Sequence, residues 1–340
     1  MGLFKNKNFV VMWVGQLATI FGNRFSEIAI PLIVLQLTGS PWQAALVVVC
    51  SQVAPLVLSL PVGDWVEQNP KRQIAMFAES LSFLTMSGLV VFVWLELLNI
   101  WILAGSLLIL GATGLFFKVS FGAMVPGVVG RERLVSAHSY FEGADAISTF
   151  IGPVLAGFVL SGFGVAAVLT IDAMTYFVSF LGILFLTFKE NKRRNTRKQP
   201  ARKSYISSLK GIKYLFANYY QTFISIQHVI LNFITTAITL SIIIYTSHTL
   251  NFIEWQIGMV LSAAGIGNLV GVFLLNKINH FSWKFLYAGL MLVSSSGILL
   301  ILFASELHFI MFGMFVFDGA LSMAFVVMDL PDKQLHLMVI

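Results

Sequence analysis

Ten apolar stretches, each long enough to cross a bilayer, divide this chain at 9–36, 42–66, 73–95, 100–125, 138–161, 165–188, 219–247, 255–276, 284–304 and 307–328. A hydrocarbon core about 30 Å thick takes about 20 apolar residues in helical form. The runs are continuous, unlike the alternating segments of about ten residues that build a transmembrane barrel. Within such a run only a helix satisfies every backbone N–H and C=O internally. Composition agrees. Hydrophobic residues make up 58% of the chain and charged residues 11%, whereas a soluble domain carries about 25% charged residues. The expected fold is therefore an all-α polytopic membrane protein with ten transmembrane helices.

Positive charge then orients it. If the N-terminus is cytoplasmic, every Lys and Arg except Arg24 falls on the cytoplasmic side. These are Lys5 and Lys7, Lys71 and Arg72, Lys118, Arg131 and Arg133, the ten from Lys189 to Lys213, then Lys277, Lys284 and Lys333. The opposite connections carry Glu96, Glu254, Glu306, His248 and His308. Lys and Arg are retained on the cytoplasmic side of membrane proteins, and this pattern predicts an N-terminus in that compartment. The formal charge of +6 needs no nucleic acid, because a basic linker beside anionic lipid explains it.

That linker, Lys189 to Lys203, separates six spans from four and continues into Ser204 to Asn218. There Leu209, Ile212 and Leu215 alternate with Lys210 and Lys213 as on a surface-lying amphipathic helix. The expected organisation is an N-terminal six-helix bundle over 1–188, a cytoplasmic basic linker over 189–218 and a partial C-terminal bundle over 219–340. A faint internal repeat fits tandem halves. Pro41-Trp42-Gln43-Ala44 opens the second span, and Glu254-Trp255-Gln256-Ile257 opens the eighth. The first apolar run is too long for a signal-peptide core and reads as an uncleaved helix. Cys50 is the single cysteine and suits a lipid- or core-facing thiol.

Several local patterns carry a family resemblance. The first span reads Trp13-Val-Gly-Gln16, then Gly22-Asn-Arg-Phe-Ser-Glu-Ile-Ala-Ile-Pro31, then Leu37-Thr-Gly-Ser-Pro41. The fifth begins Arg131-Glu-Arg-Leu134 and Ala137-His-Ser139 and contains Gly152-Pro-Val-Leu-Ala-Gly157. The sixth contains Ile171-Asp-Ala-Met-Thr-Tyr-Phe-Val-Ser179. Together they make the chain resemble the major facilitator superfamily, in its bacterial drug-efflux branch with macrolide exporters and enterobactin-exporter-like proteins. The resemblance implies twelve spans in two bundles that alternate access to a central cavity. This chain has ten, and its tail from Met328 to Ile340 does not lead into an eleventh, so the chain looks truncated relative to that family.

The resemblance also marks two conformational motifs. Between the second and third spans the chain reads Gly63-Asp-Trp-Val-Glu67-Gln68-Asn-Pro-Lys71-Arg72. Glu67 stands where the family has Asp, and Gln68 where it has Arg. In the family the carboxylate latches against the N-terminal end of an eleventh helix, where the macrodipole favours negative charge. Lys71 and Arg72 are equally accounted for as topology determinants. In the fifth span Gly152, Pro153, Ala156 and Gly157 resemble the antiporter motif, with Ser148 in place of its leading glycine. Small residues let helices approach and proline bends them. Ordinary close packing is the alternative reading.

An ionisable group in hydrocarbon costs at least about 2.5–3.5 kcal/mol on insertion scales, which makes each one a site candidate. Arg24 and Glu27 are foremost, three residues apart on one helical face and able to pair. Burial favours a neutral acid and a neighbouring guanidinium the carboxylate, so alternating exposure would switch which effect prevails and let Glu27 carry a proton. A static ion pair orienting the first helix is the competing account. Asp145 is a second cavity carboxylate, with Glu142 nearer the headgroups. Asp172 suits packing or hydrogen bonding better than transport chemistry. Asp318, beside Gly319, points to a cavity or an interhelical bond. Glu79 and Lys118 are expected to snorkel or to pair with loop charges. Phe21, Phe25, Tyr140 and Phe141 lie near these charges in sequence and would supply apolar contact to a ligand.

No phosphate-binding loop, hydrolase motif or metal-ligand spacing occurs in the sequence. No enzyme activity and no cofactor are expected. The expected partners are a small-molecule substrate, protons and membrane lipids, with no nucleic acid. The first expectation is a proton-driven secondary exporter of hydrophobic or amphiphilic compounds, drug- or macrolide-like, in a bacterial cell membrane. An exporter of a native metabolite such as a siderophore and a non-transporting remnant remain as alternatives.

Overall fold

The computed structural model describes residues 3–187, 216–278 and 283–328. The basic linker from Lys189 to Leu215, on which the surface helix was expected, and the tail beyond Met328 lie outside the described residues. Four helices open the chain: α1 (Lys7–Thr38), α2 (Pro41–Gln68), α3 (Lys71–Trp94) and α4 (Ile100–Val129). Local chemistry sets their ends. The Asn6 side chain accepts from the Asn8 and Phe9 amides to start α1. Ser40 caps α2 with proline at its first position, and Asn99 caps α4. Gly39 ends α1 at φ 63°, a left-handed conformation that glycine adopts without a Cβ clash.

The next helical run, Leu134–Phe185, has 52 residues. At 1.5 Å per residue it would be about 78 Å long, more than twice the hydrocarbon thickness. Gly164, with φ 77° and ψ −177°, breaks it. We call the parts before and after this glycine α5 and α6. The α5 arm runs with α1: the Tyr140 carbonyl meets Trp13 and Asp145 meets Arg24. The α6 arm runs against it: Ser179 lies at Gly15, and Thr175 and Asp172 at Gly22. The chain therefore reverses at Gly164 and crosses twice. Among the described residues nine helical runs are long and apolar enough to cross a membrane, this double one counted once. The ten spans expected from hydropathy follow.

The chain divides into two compact units, Met1–Ser148 with Gly162–Tyr214, and Thr149–Ser161 with Leu215–Ile340. In the first, α2 and α3 pack on α4 and α1 packs on α2. The end at which α1 begins is tied by polar side chains. Asn6 Nδ2 donates to the Val128 carbonyl at 2.9 Å, and Asn8 Nδ2 to that of Thr187 at 2.6 Å. Phe9, Phe117, Phe121, Met124 and Ile183 fill the core beside them.

The second unit holds α7 (Tyr219–Ile244), extended by a π-helical turn at Tyr245–Thr249, then α8 (Glu254–Ile278), α9 (Trp283–Phe303) and α10 (Leu307–Met328). Here α10 packs on α8 and α9. Trp42 and Trp255 each stand second in their helix, as the repeated opening suggested.

Candidate functional site

In the first unit α1 buries almost everything from Phe25 to Leu35, with Glu27 the single exposed residue in that stretch. One turn earlier Asn23 is exposed and Arg24 partly so. The outward strip of mid-α1 is thus polar. The outward strip of mid-α2 carries no charge and is mainly apolar, with Val49, Val53, Leu56 and Val57 exposed beside Gln52 and Ser59. Apolar exposure is what lipid contact requires, and a polar strip at mid-depth would be costly there.

Arg24 organises that strip. Its Nη1 donates to Glu27 Oε2 at 2.9 Å, and its Nη2 to Asp145 Oδ1 on α5 at 3.2 Å. The guanidinium side chain is 24% exposed, against 59% for Glu27 and 50% for Asp145. A planar fork suits such bridging, because one cation can serve two carboxylates in fixed directions. The structure brings together three residues singled out by sequence and joins α1 to α5 through them.

Asp172 lies apart from this strip, fully buried on α6, where it accepts from the Ser26 hydroxyl and from Thr175. Gly22 permits the contact, since an added Cβ would stand 2.5 Å from Asp172 Oδ1 and collide with Thr175 Oγ1. Tyr176 Oη donates to Asn23 Oδ1 at 3.0 Å. Glu79 departs from expectation. It is 2% exposed and accepts from Ser179 on α6, whereas snorkelling toward loop charges was expected. Its position, two turns inside α3, puts it too deep to reach them. Lys118 is exposed. Ser26, Asn23, Tyr176 and Ser179 were missed by sequence reasoning, although Gln16, Thr19, Asn23 and Ser26 already form a polar line at helical spacing. Tyr140 and Phe141 join Phe4, Phe9 and Trp13 at the start of α1. Trp13 and Arg24 are eleven residues apart, about 16 Å along a helix, so that cluster stands away from Arg24 and Glu27, although Phe141 is one turn before Asp145 on α5.

The loop motif has a different geometry. Arg72 Nε donates to the Ile183 carbonyl at 3.1 Å and its Nη2 to that of Leu184 at 2.5 Å, covering the C-terminal end of α6. A cation there meets the negative end of the helix dipole and its free carbonyls. Lys71 is half-buried and Glu67 exposed, and Gly63 faces open space.

In the second unit, residues 149–161 lie tightly on α8. A Cβ on Gly157 would stand 2.5 Å from the Glu254 carbonyl oxygen, and one on Gly265 2.7 Å from that of Thr149. Gly258 faces the Pro153 carbonyl equally closely. Pro153 has no N–H to offer the Thr149 carbonyl. The Val154 amide donates across to Ser262 Oγ at 3.1 Å. Gly152 and Pro153 are both buried. Asp318 on α10 accepts from Asn268 Nδ2 at 3.0 Å, so it forms an interhelical bond to α8. Among the described residues no group of His, Cys, Asp and Glu is arranged to hold a metal ion.

The family model for the Major Facilitator Superfamily matches residues 12–330. The chain belongs to this superfamily. Among its relatives, the multidrug efflux pump Tap of Mycolicibacterium fortuitum is 26% identical over 174 residues, 48% of this chain and 42% of that protein. Macrolide efflux protein A of Streptococcus pyogenes is 21% identical over 166 residues, 49% of this chain and 41% of that one. The enterobactin exporter EntS of Salmonella typhi is 25% identical over 216 residues, 62% of this chain and 50% of that one. The chain therefore spans about half the length of these curated relatives. Among solved structures, a bacterial homologue of the iron transporter ferroportin in an inward-facing state aligns with a TM-score of 0.67 at 16% identity, over 98% of this chain and 85% of that one. A bacterial metal transporter aligns at 0.59 and 14% identity, over 96% and 82%. These two likenesses concern the fold. As a member of the superfamily, this is a multi-pass membrane protein.

Proposed function

We propose that this superfamily member is a secondary exporter of hydrophobic or amphiphilic compounds, drug- or macrolide-like, that works by alternating access and proton antiport in the bacterial cell membrane with its N-terminus in the cytoplasm. One observation supports this most: the outward strip of mid-α1 is Asn23, Arg24 and Glu27, and Arg24 ties it to the half-exposed Asp145 of α5. A strip of that kind belongs against a water-filled path, where Glu27 exchanges a proton.

When Glu27 takes up a proton it releases its hold on Arg24, and the guanidinium turns fully to Asp145. Loss of that proton restores the shared arrangement. The charge presented to a bound compound thus differs between the two protonation states. Similarity to efflux pumps for drugs and macrolides supports the substrate class, and similarity to an enterobactin exporter keeps a native metabolite as the second reading. The Gly-Pro element on α5 is assigned the bending contact that switching needs. Gly63, Glu67, Lys71 and Arg72 occupy the loop that serves the family as an end-state latch, and Arg72 here anchors α6. Without an eleventh helix as partner, that latch is either broken or completed by another chain.

The test is efflux of a fluorescent cationic dye or a labelled macrolide from cells expressing the chain. Efflux is expected to stop on adding a protonophore and to fall at least about tenfold in Glu27→Gln, the loss of about 1.4 kcal/mol of driving interaction. Full activity in the Gln variant removes Glu27 from the mechanism.

A further inference from the structure

Beneath the Arg24 strip, α1, α3 and α6 enclose a second group of acids that the exporter reading does not use. Gly15, Thr19, Gly22 and Ser26 recur on one face of α1, and that face meets α6. Gly15 lies against Ser179, Gly22 against Thr175 and Asp172, and Ser26 donates to Asp172. From α3, Glu79 reaches the same layer through Ser179. Asp172 is 0% exposed and Glu79 2%.

Among the described residues no Lys or Arg makes an ion pair with either acid. Asp172 acts on Glu79, and Glu27 acts on Asp172. On α6 the remaining titratable neighbour is Tyr176, whose hydroxyl is given to Asn23. On α1 the cation is Arg24, held by Glu27 and by Asp145 of α5. On α4 Lys118 is exposed, and at the start of α3 Arg72 is bound to α6 carbonyls. Two buried carboxylates without a cation are prohibitively costly if both are charged.

Independent atoms in the same layer lack partners. Glu79 Oε2 is buried and finds no hydrogen-bond partner among the described residues. Thr19 Oγ1, on a residue 5% exposed and set between Gly15 and Gly22, is in the same condition. A buried carboxylate oxygen that no donor faces fits a protonated acid, which itself donates there.

We propose that Glu79 and Asp172 form a proton-binding site sealed between α1, α3 and α6, and that this site holds at least one proton in the folded protein at neutral pH. The ligand is H⁺, and the hydroxyls of Ser26, Thr175 and Ser179 are its polar surround. With both acids sealed, the proton exchanges only when the glycine-lined contact of α1 with α6 parts. The site then reports whether that contact is open. It is separate from Glu27, and it does not depend on what the protein carries.

Infrared spectroscopy of the purified full chain in phosphatidylcholine bilayers tests this. The expected spectrum at neutral pH contains the carbonyl stretch of a protonated carboxylic acid. That band is lost or displaced in both Glu79→Gln and Asp172→Asn and persists in Glu27→Gln. Absence of the band from the unsubstituted protein overturns the proposal, as does a band that neither substitution alters. A thermal readout covers the case of a poorly folding variant. A proton bound in the folded state and released on unfolding stabilises at low pH, so Tm falls as pH is raised from the ordinary carboxylate range, about 4, through the folded-state titration. Glu79→Gln, which keeps the shape of the neutral acid, loses part of that fall, and Asp172→Asn does likewise. Identical pH dependence in all three proteins contradicts the site. Failure of dye efflux in every variant leaves both readouts standing and speaks against export alone.

Discussion

Arg24 is the residue on which the outward strip of α1 depends, since its guanidinium bridges Glu27 on α1 and Asp145 on α5. Breaking a buried ion pair by removing one partner costs about 3–5 kcal/mol. These acids are half exposed, and screening brings the expected loss well below that. Arg24→Gln is expected to lower efflux about tenfold or more, and Arg24→Lys to retain an intermediate rate, because an ammonium lacks the fork that serves two carboxylates. Initial rates of dye efflux at matched expression decide it. Equal rates in all three proteins would mean that the bridge is only structural. Arg24, Glu27 and Asp145 were legible in the sequence because a charge inside an apolar run stands out by its cost. Their partnership was not, as 121 residues separate Arg24 from Asp145. Glu79 was misplaced for the same reason. Its partner Ser179 is a small polar residue on a distant helix, and nothing local announces it.

At the scale of elements, close helix contact is made where glycine removes a side chain. Gly22 touches α6 through Thr175 and Asp172, whereas Gly63 faces open space. Gly22→Val should therefore force α1 from α6 at about 1–3 kcal/mol, the range for overpacking. Gly63→Ala should be neutral or slightly stabilising, since alanine is the better helix former. Thermal unfolding in detergent separates the two, and a Tm equal to the parent's in Gly22→Val would refute the contact. Hydropathy spans did not show the caps that set helix limits: Ser40-Pro41, Asn99 and Gly39 start or stop helices by local hydrogen bonding. The break between α5 and α6 was expected from the gap between the spans 138–161 and 165–188, and Gly164 makes it. Which glycines make contacts was not readable, because Gly22 and Gly63 look alike until the facing helix is known.

For the whole molecule, the charge pattern makes a statement about sides of the membrane. In a Cys50→Ser background, Asn69→Cys, between α2 and α3, should resist an impermeant thiol reagent applied to intact cells. Asn251→Cys, before α8, should react with it. The reverse pattern would invert the proposed orientation. The number of crossings followed from hydropathy alone because desolvation acts on each run separately, whereas the path for a substrate depends on which strips face water. The most direct measurement of that path uses Asn23→Cys and Val53→Cys, each in the Cys50→Ser background, in permeabilised vesicles with a charged, lipid-insoluble thiol reagent. The account predicts rapid labelling at position 23, slowed by bound substrate, and none at position 53. Labelling at position 23 only by an apolar maleimide, as at position 53, would place that strip against lipid and contradict it.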